Sequence, residues 1–136
     1  MVIIPMNRNF SSVHDSSVDS EGNVYIIMEE TADNEAGFKG IYVRIVKLDR
    51  NKEMVWDYYE EKAMTGTKYP LRIEVLKDRV VYNGQDEAGH QQIKCIDLSG
   101  NLLWSNTLDH DASTNIKIPR KFVAANDGNI LLIGGV

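Results

Sequence analysis

The sequence holds one cysteine, three prolines, no run of basic residues and no long apolar stretch. Cys95 alone excludes an internal disulfide and any multi-cysteine metal site, and as a small apolar side chain it reads as a buried, inert thiol. Fifteen Lys plus Arg stand against 20 Asp plus Glu, a net charge of −5, with no basic cluster to neutralise a phosphate backbone; nucleic acid is not an expected partner. Apolar stretches such as Val24–Met28 and Ile130–Ile133 are far below the roughly 18 residues of a membrane-spanning helix, so no membrane is expected either. The start, Met1-Val-Ile-Ile-Pro-Met6, lacks the basic segment and small-residue cleavage site of a signal peptide. That leaves two readings, a cytosolic chain or one cut from a longer exported protein. Also absent are Gly-x-Gly-x-x-Gly, a P-loop, His-Glu-x-x-His and Gly-x-Ser-x-Gly, so the usual enzyme signatures name no reaction.

What is present is β-forming. Val, Ile, Leu and Phe make up 37 of 136 residues, enough for a folded core in a single domain of 15.4 kDa. The 25 Val plus Ile outnumber the 16 Leu plus Ala, and β-branched side chains fit a pleated strand better than a helix. The composition predicts an all-β protein.

An internal repeat refines this. Ile45-Val-Lys-Leu-Asp49-Arg-Asn-Lys-Glu-Met-Val-Trp56 aligns without a gap on Ile93-Lys-Cys-Ile-Asp97-Leu-Ser-Gly-Asn-Leu-Leu-Trp104, an offset of 48 residues. Ile, Asp and Trp are identical, and Leu48/Ile96, Met54/Leu102 and Val55/Leu103 keep their chemistry. Three segments read as tight turns between strands, with Gly or Asn free to take φ > 0: Asp19-Ser-Glu-Gly22-Asn23, Leu76-Lys-Asp78 and Asn126-Asp127-Gly128-Asn129. The spacing from Tyr25 to Tyr82 is 57 and from Tyr82 to Leu131 is 49; the surplus is assigned to a longer loop over Thr31–Gly40.

Each unit resolves into four strands, expected at Phe10–Asp19, Gly22–Glu30, Gly40–Asp49 and Lys52–Glu60, then at Tyr69–Asp78, Arg79–Gln85, Gln91–Leu98 and Asn101–Asp109. A third unit starts near Ile118 and holds two strands up to Val136. Four-stranded units of about 40 to 50 residues are the pattern of propeller blades. The expected architecture is therefore about two and a half antiparallel blades, over 10–60, 69–109 and 118–136. Val24-Tyr-Ile-Ile-Met28 and Ile41-Tyr-Val-Arg-Ile-Val46 carry large apolar residues on both faces, as stacked sheets require. One conflict stands: Asn83-Gly84 is a strong hairpin signal that this register puts inside a strand.

The run Lys94-Cys-Ile-Asp97-Leu-Ser-Gly100-Asn-Leu-Leu-Trp104 resembles the repeat of quinoprotein-type (PQQ-like) β-propellers, in which the Trp docks between neighbouring blades and the Asp and Gly shape the preceding turn. The first unit departs from that pattern, with Lys52 where Gly is expected. A quinoprotein cofactor pocket would need Ca²⁺ ligands, adjacent cysteines and a Trp floor, which Cys95 alone does not supply, so no cofactor is expected. His14-Asp15-Ser-Ser-Val-Asp-Ser-Glu-Gly22-Asn23 also resembles the blade start of arylsulfotransferase-type propellers, where a channel-facing His accepts a sulfuryl group; this makes His14 the one catalytic candidate.

The remaining candidates have structural explanations. Trp56 shares a strand face with Met54 and Tyr58 at period two, and Trp104 with Leu102 and Leu108, as packing between blades requires. Asp49 and Asp97 at turn starts accept backbone N–H bonds from two residues on. Asp109-His110-Asp111 and Asp86-Glu-Ala-Gly-His90 read as solvated acidic loops rather than metal sites. Two functions stay open: a non-catalytic scaffold that binds a protein or carbohydrate, with self-association or further blades expected, or a fragment of a catalytic propeller.

Overall fold

A computed structural model of the chain describes residues 10–33, 39–59, 71–85, 91–107, 118–124 and 130–135. Every regular element among them is a strand. β1 (Phe10–Val18), β2 (Val24–Asp33), β3 (Lys39–Leu48) and β4 (Met54–Tyr59) form one four-stranded sheet, and β5 (Ile73–Leu76), β6 (Arg79–Gln85), β7 (Gln91–Asp97) and β8 (Leu102–Thr107) form a second. β9 (Ile118–Ala124) and β10 (Ile130–Gly135) pair as a two-stranded sheet. Within each sheet, strands adjacent in sequence pair antiparallel, so the protein is all-β with meandering sheets.

The chain reverses through one local device used three times. Asp19, Asp49 and Asp97 each accept at Oδ1 from the backbone N–H two and four residues on, at 2.8–3.0 Å. The N–H three residues on bonds back to the Asp carbonyl, and that third residue is left-handed: Gly22 at φ 86°, Lys52 at 67° and Gly100 at 90°. This is the three-residue hairpin loop with a positive φ at its end, and Asp stabilises it because a short carboxylate reaches two amides at once. Lys52 keeps the same backbone without glycine's freedom. The turn between β5 and β6 has two residues, Lys77-Asp78, and its positive φ of 60° falls on Lys77 rather than on Gly or Asn. The turn expected at 126–129 lies outside the described residues.

Sheet register corrects two readings of the repeat. The pairs Val24↔Leu48 and Val80↔Ile96 occupy the same place, which matches Tyr25 to Val81 and not to Tyr82. A one-residue slip reverses the face. Tyr25 and Tyr82 accordingly meet in one core cluster from opposite sheets. The surplus length is strand rather than loop: β2–β3 pairing continues to Asp33↔Lys39 and β6–β7 pairing stops at Gln85↔Gln91. Segments 34–38 and 86–90 are equally long.

Asn83-Gly84 lies within β6, opposite Ile93 and Gln92. The hairpin signal is overridden because Asn83 is buried and held through both its backbone and its side chain. Its N–H donates to the Arg72 carbonyl at 3.3 Å, and its Oδ1 accepts from the Arg72 N–H.

The main core lies between the two four-stranded sheets: Tyr25, Ile27, Val43 and Ile45 against Leu71, Ile73, Val80, Tyr82 and Ile96, with Trp56, Val75 and Leu98 at its margin. Each such side chain contributes about 1.5–3 kcal/mol by leaving water. Behind the second sheet, Val81, Ile93 and Cys95 pack with Phe122 of β9, flanked by Leu76 and Trp104. Met28, Val46 and Leu48 are buried on the far face of the first sheet, so its central strands are covered on both sides.

Lys52→Gly is expected to stabilise the protein by up to about 1 kcal/mol, the left-handed cost of about 1–2 kcal/mol less glycine's added freedom in the unfolded chain. Gly100→Ala is expected to destabilise by about 1–2 kcal/mol through φ alone, since an added Cβ meets the Trp56 ring at an ordinary 3.5 Å. Urea denaturation measures both; a Lys52→Gly protein weaker than wild type would show that this backbone carries no strain.

Candidate functional site: the seam between the sheets

Trp56 and the Asp97 turn of the repeat, together with His14, lie at the seam between the two four-stranded sheets, whereas Trp104 and Ile93 pack behind the second sheet. β5 is the first strand of its sheet, so amides along its outer edge have no strand partner. Side chains of β1 satisfy three of its neighbourhood's N–H groups: Leu71 donates to His14 Nδ1 at 3.1 Å, Ile73 to Asp15 Oδ2 at 3.0 Å and Val75 to Ser17 Oγ at 3.0 Å. Adjacent residues of a regular strand point to opposite faces, and His14 and Asp15 escape this through a β-bulge. Val13 pairs with Met28 and Asp15 with Ile27, leaving His14 as the extra residue. The Ser-rich, polar sequence of β1 thus serves as a row of acceptors.

His14 is held at both nitrogens. Nδ1 accepts from Leu71, which places the ring proton on Nε2, 3.1 Å from Glu29 Oε1. In this arrangement neither nitrogen presents a free lone pair to a substrate.

The second joint is Trp56. Its Nε1 donates to the Leu98 carbonyl at 3.2 Å, and its ring lies 3.5 Å from the position of an ideal Cβ on Gly100, an ordinary packing distance. Lys47 Nζ donates to the same carbonyl at 2.8 Å and lies 5.3 Å from the centre of the Tyr25 ring, which is tilted at 58° to Trp56. Trp56 therefore docks on the β7–β8 turn that Asp97 and Gly100 shape. A bulge again aims it. Lys47 pairs with Trp56 but Leu48 with Met54, so Val55 is extra and Met54 falls on the face opposite Trp56, correcting the period-two reading. The same bulge recurs in β8, where Cys95 pairs with Trp104 and Ile96 with Leu102. Leu108 lies outside the described residues.

Charge at the turns follows from their hydrogen bonds. Burial pushes the Asp19 carboxyl up, but bonds from the Asn23 side chain and N–H, the Glu21 N–H and the Tyr25 hydroxyl outweigh it and hold it below the usual 3.8. Tyr25 is raised by burial and by that same bond. Asp97 is lowered by the Asn101 N–H and side chain, with Ser99 and Gly100 adding to the effect. Glu21, Asn23, Asp49, Arg50 and Asn51 line a shallow depression between the two turns of the first sheet, but the Asp49 oxygen there is already bonded to Asn51 and Glu53.

Sequence reasoning missed a buried ionic cluster on the far face of the first sheet. Arg44, 1% exposed, donates to Glu30 Oε1 at 2.8 Å and to Asp57 Oδ2 at 3.0 Å and 3.2 Å. Tyr59 donates to Glu30 Oε2 at 2.8 Å, and its ring centre is 5.2 Å from the guanidinium. Burial works against the Arg44 charge, and its bond and attraction to Glu30 overcome that and raise its pKa. The only sequence signal was an arginine inside an apolar strand.

Cys95 is buried, and burial pushes its thiol up, away from reactivity. Asp109-His110-Asp111 and Asp86–His90 lie outside the described residues, among which no three His, Cys, Asp or Glu side chains group as metal ligands. No protein-family model matches the sequence, and no curated protein is significantly similar to it.

Trp56→Phe, which removes an indole bond as well as packing, is expected to cost about 1 kcal/mol more than Trp104→Phe in guanidinium denaturation; equal costs would mean that the Trp56–Leu98 bond contributes nothing. Because Asp97 is depressed in the folded state, its stabilisation is complete above the ordinary value of 3.8 and is lost as pH falls through the folded value. Asp97→Asn should preserve the turn and flatten the acid limb of a stability–pH curve, and an unchanged limb would remove Asp97 as its source.

Proposed function

We propose that the chain is a β-propeller segment whose two four-stranded sheets are successive blades, acting as a rigid non-catalytic scaffold. The observation that carries this reading is the Trp56 joint: an outer-strand tryptophan of one sheet bonded to the Leu98 carbonyl and seated on Gly100 of the next. Trp56 and the Asp97 turn are occupied in joining the two sheets, and His14, the candidate for sulfuryl transfer, has both nitrogens committed to protein groups. The resemblance to quinoprotein-type repeats agrees with this, since there too the tryptophan docks between blades.

A scaffold presents its rims. Met54, Val55, Leu102 and Leu103 are exposed by 36–58% at matching positions of the two outer strands. Aliphatic side chains of this kind suit a protein surface better than a carbohydrate, which is bound through aromatic faces and polar groups. The edges of the two-stranded sheet are open among the described strands, which is compatible with the self-association or further blades that a propeller reading implies.

Size-exclusion chromatography with light scattering on the 136-residue chain tests this reading. Concentration-dependent self-association is the expected result. A monodisperse monomer with one cooperative unfolding transition would overturn the incomplete-propeller reading.

A further inference from the structure

Of the three bonds that tie amides of the second sheet to side chains of β1, one has an acceptor that a proton abolishes. Ser17 Oγ keeps a lone pair for the Val75 N–H at any pH, and a carboxyl group such as that of Asp15, which takes the Ile73 N–H, retains acceptor capacity even when protonated. His14 differs. Its Nδ1 takes the Leu71 N–H at 3.1 Å, and the one proton of the neutral ring sits on Nε2, 3.1 Å from Glu29 Oε1. A second proton therefore has only Nδ1 to bind, and there it faces the Leu71 N–H, donor against donor.

The surroundings decide what that proton does. Glu29 belongs to β2, in the same sheet as His14, whereas Leu71 lies two residues before β5 of the other sheet. Charging the ring strengthens its bond to the Glu29 carboxylate in the same step that removes its bond to Leu71. A link between sheets is exchanged for a stronger one within the first sheet. The His14 side chain is 20% exposed, so water can deliver the proton; Leu71 is 1% exposed, so its released amide reaches water only if that end of the seam moves. Among the described residues, Glu29 is the ionisable side chain in contact with His14; Asp15 beside it on β1 is bonded to Ile73, and Arg72 and Glu74 are the charged residues of the facing segment. Histidine is the side chain that ordinarily changes charge between pH 5 and 8.

We infer that His14 is a proton-operated latch on the seam: neutral, it holds the Leu71 end of the second sheet against the first, and protonated at Nδ1 it releases that end while Ser17 still holds Val75. The latch needs only the contact between the two sheets and stands whether or not they are propeller blades.

Nuclear magnetic resonance on the full ¹⁵N-labelled chain tests it, following the His14 ring nitrogens together with the Leu71 and Val75 amides from about pH 8 to about pH 5. As Nδ1 gains its proton, protection of the Leu71 amide from exchange, relative to the unstructured rate at each pH, is expected to fall at least about tenfold, while that of Val75 changes by less than about twofold. In a His14→Asn protein, whose side-chain oxygen can accept near the place of Nδ1 and does not titrate, Leu71 should stay protected across the range. A ring that remains neutral at about pH 5, Leu71 protection unchanged while the ring charges, a parallel loss at Val75, or the same pH-dependent loss in a folded His14→Asn protein would each overturn the proposal. Should His14→Asn not fold, the comparison of Leu71 with Val75 in the wild-type chain decides by itself.

Discussion

A sheet covered on both faces still has edges, and the amides along an edge strand must find acceptors if another sheet lies over them. At the seam of this protein that requirement is met by side chains rather than by a strand: His14, Asp15 and Ser17 accept from Leu71, Ile73 and Val75. Leu71 and Ile73 are each 1% exposed, so without those acceptors the amides would be buried unsatisfied, at about 1–3 kcal/mol apiece. The apolar core between the sheets depends on this, because Tyr25, Ile27, Val43 and Ile45 cover the second sheet only if its first strand can be brought against β1.

Small departures from regular strand geometry do the aiming. The bulge at His14 turns two consecutive polar residues toward β5, and the bulge at Val55 puts Trp56 on the face that meets Leu98 and Gly100. The Asp turns complete the fit: Asp97 fixes the β7–β8 turn, Gly100 takes its left-handed position under the indole ring, and the Leu98 carbonyl is presented to both Trp56 and Lys47. The first sheet keeps the same turn with Lys52 in the left-handed position, so the carboxylate bonds, rather than glycine, are the common element.

The two sheets share a plan and differ in extent. The longer pairing of β2 with β3 carries Glu30 beyond the last pair of the second sheet, where it meets Arg44 and Tyr59. An arginine in an otherwise apolar strand is tolerable there because two carboxylates and an aromatic ring surround it; removing either carboxylate would leave a buried charge poorly compensated.

Much of this was legible in the sequence, and the boundary follows the range of the forces. The β-branched composition, the apolar runs carried on both faces of the strands and the Asp-initiated turns are properties of a few consecutive residues, and eight of the ten strands fall within three residues of where that local chemistry placed them or share their start. The 48-residue repeat likewise showed that Trp56 and Trp104 hold equivalent places. Their faces could not be read, because one inserted residue in a bulge reverses the alternation and nothing at Val55 or Leu103 announces it. Nor could the partners of His14, Asp15 and Ser17, which lie 57 or 58 positions away, or the grouping of Arg44 with Glu30, Asp57 and Tyr59. The sequence by itself determined the strands and their turns, since those arise from neighbouring groups along the chain. Which side chains became joints was decided only by the packing of sheet on sheet, where distant amides and carbonyls must be satisfied together.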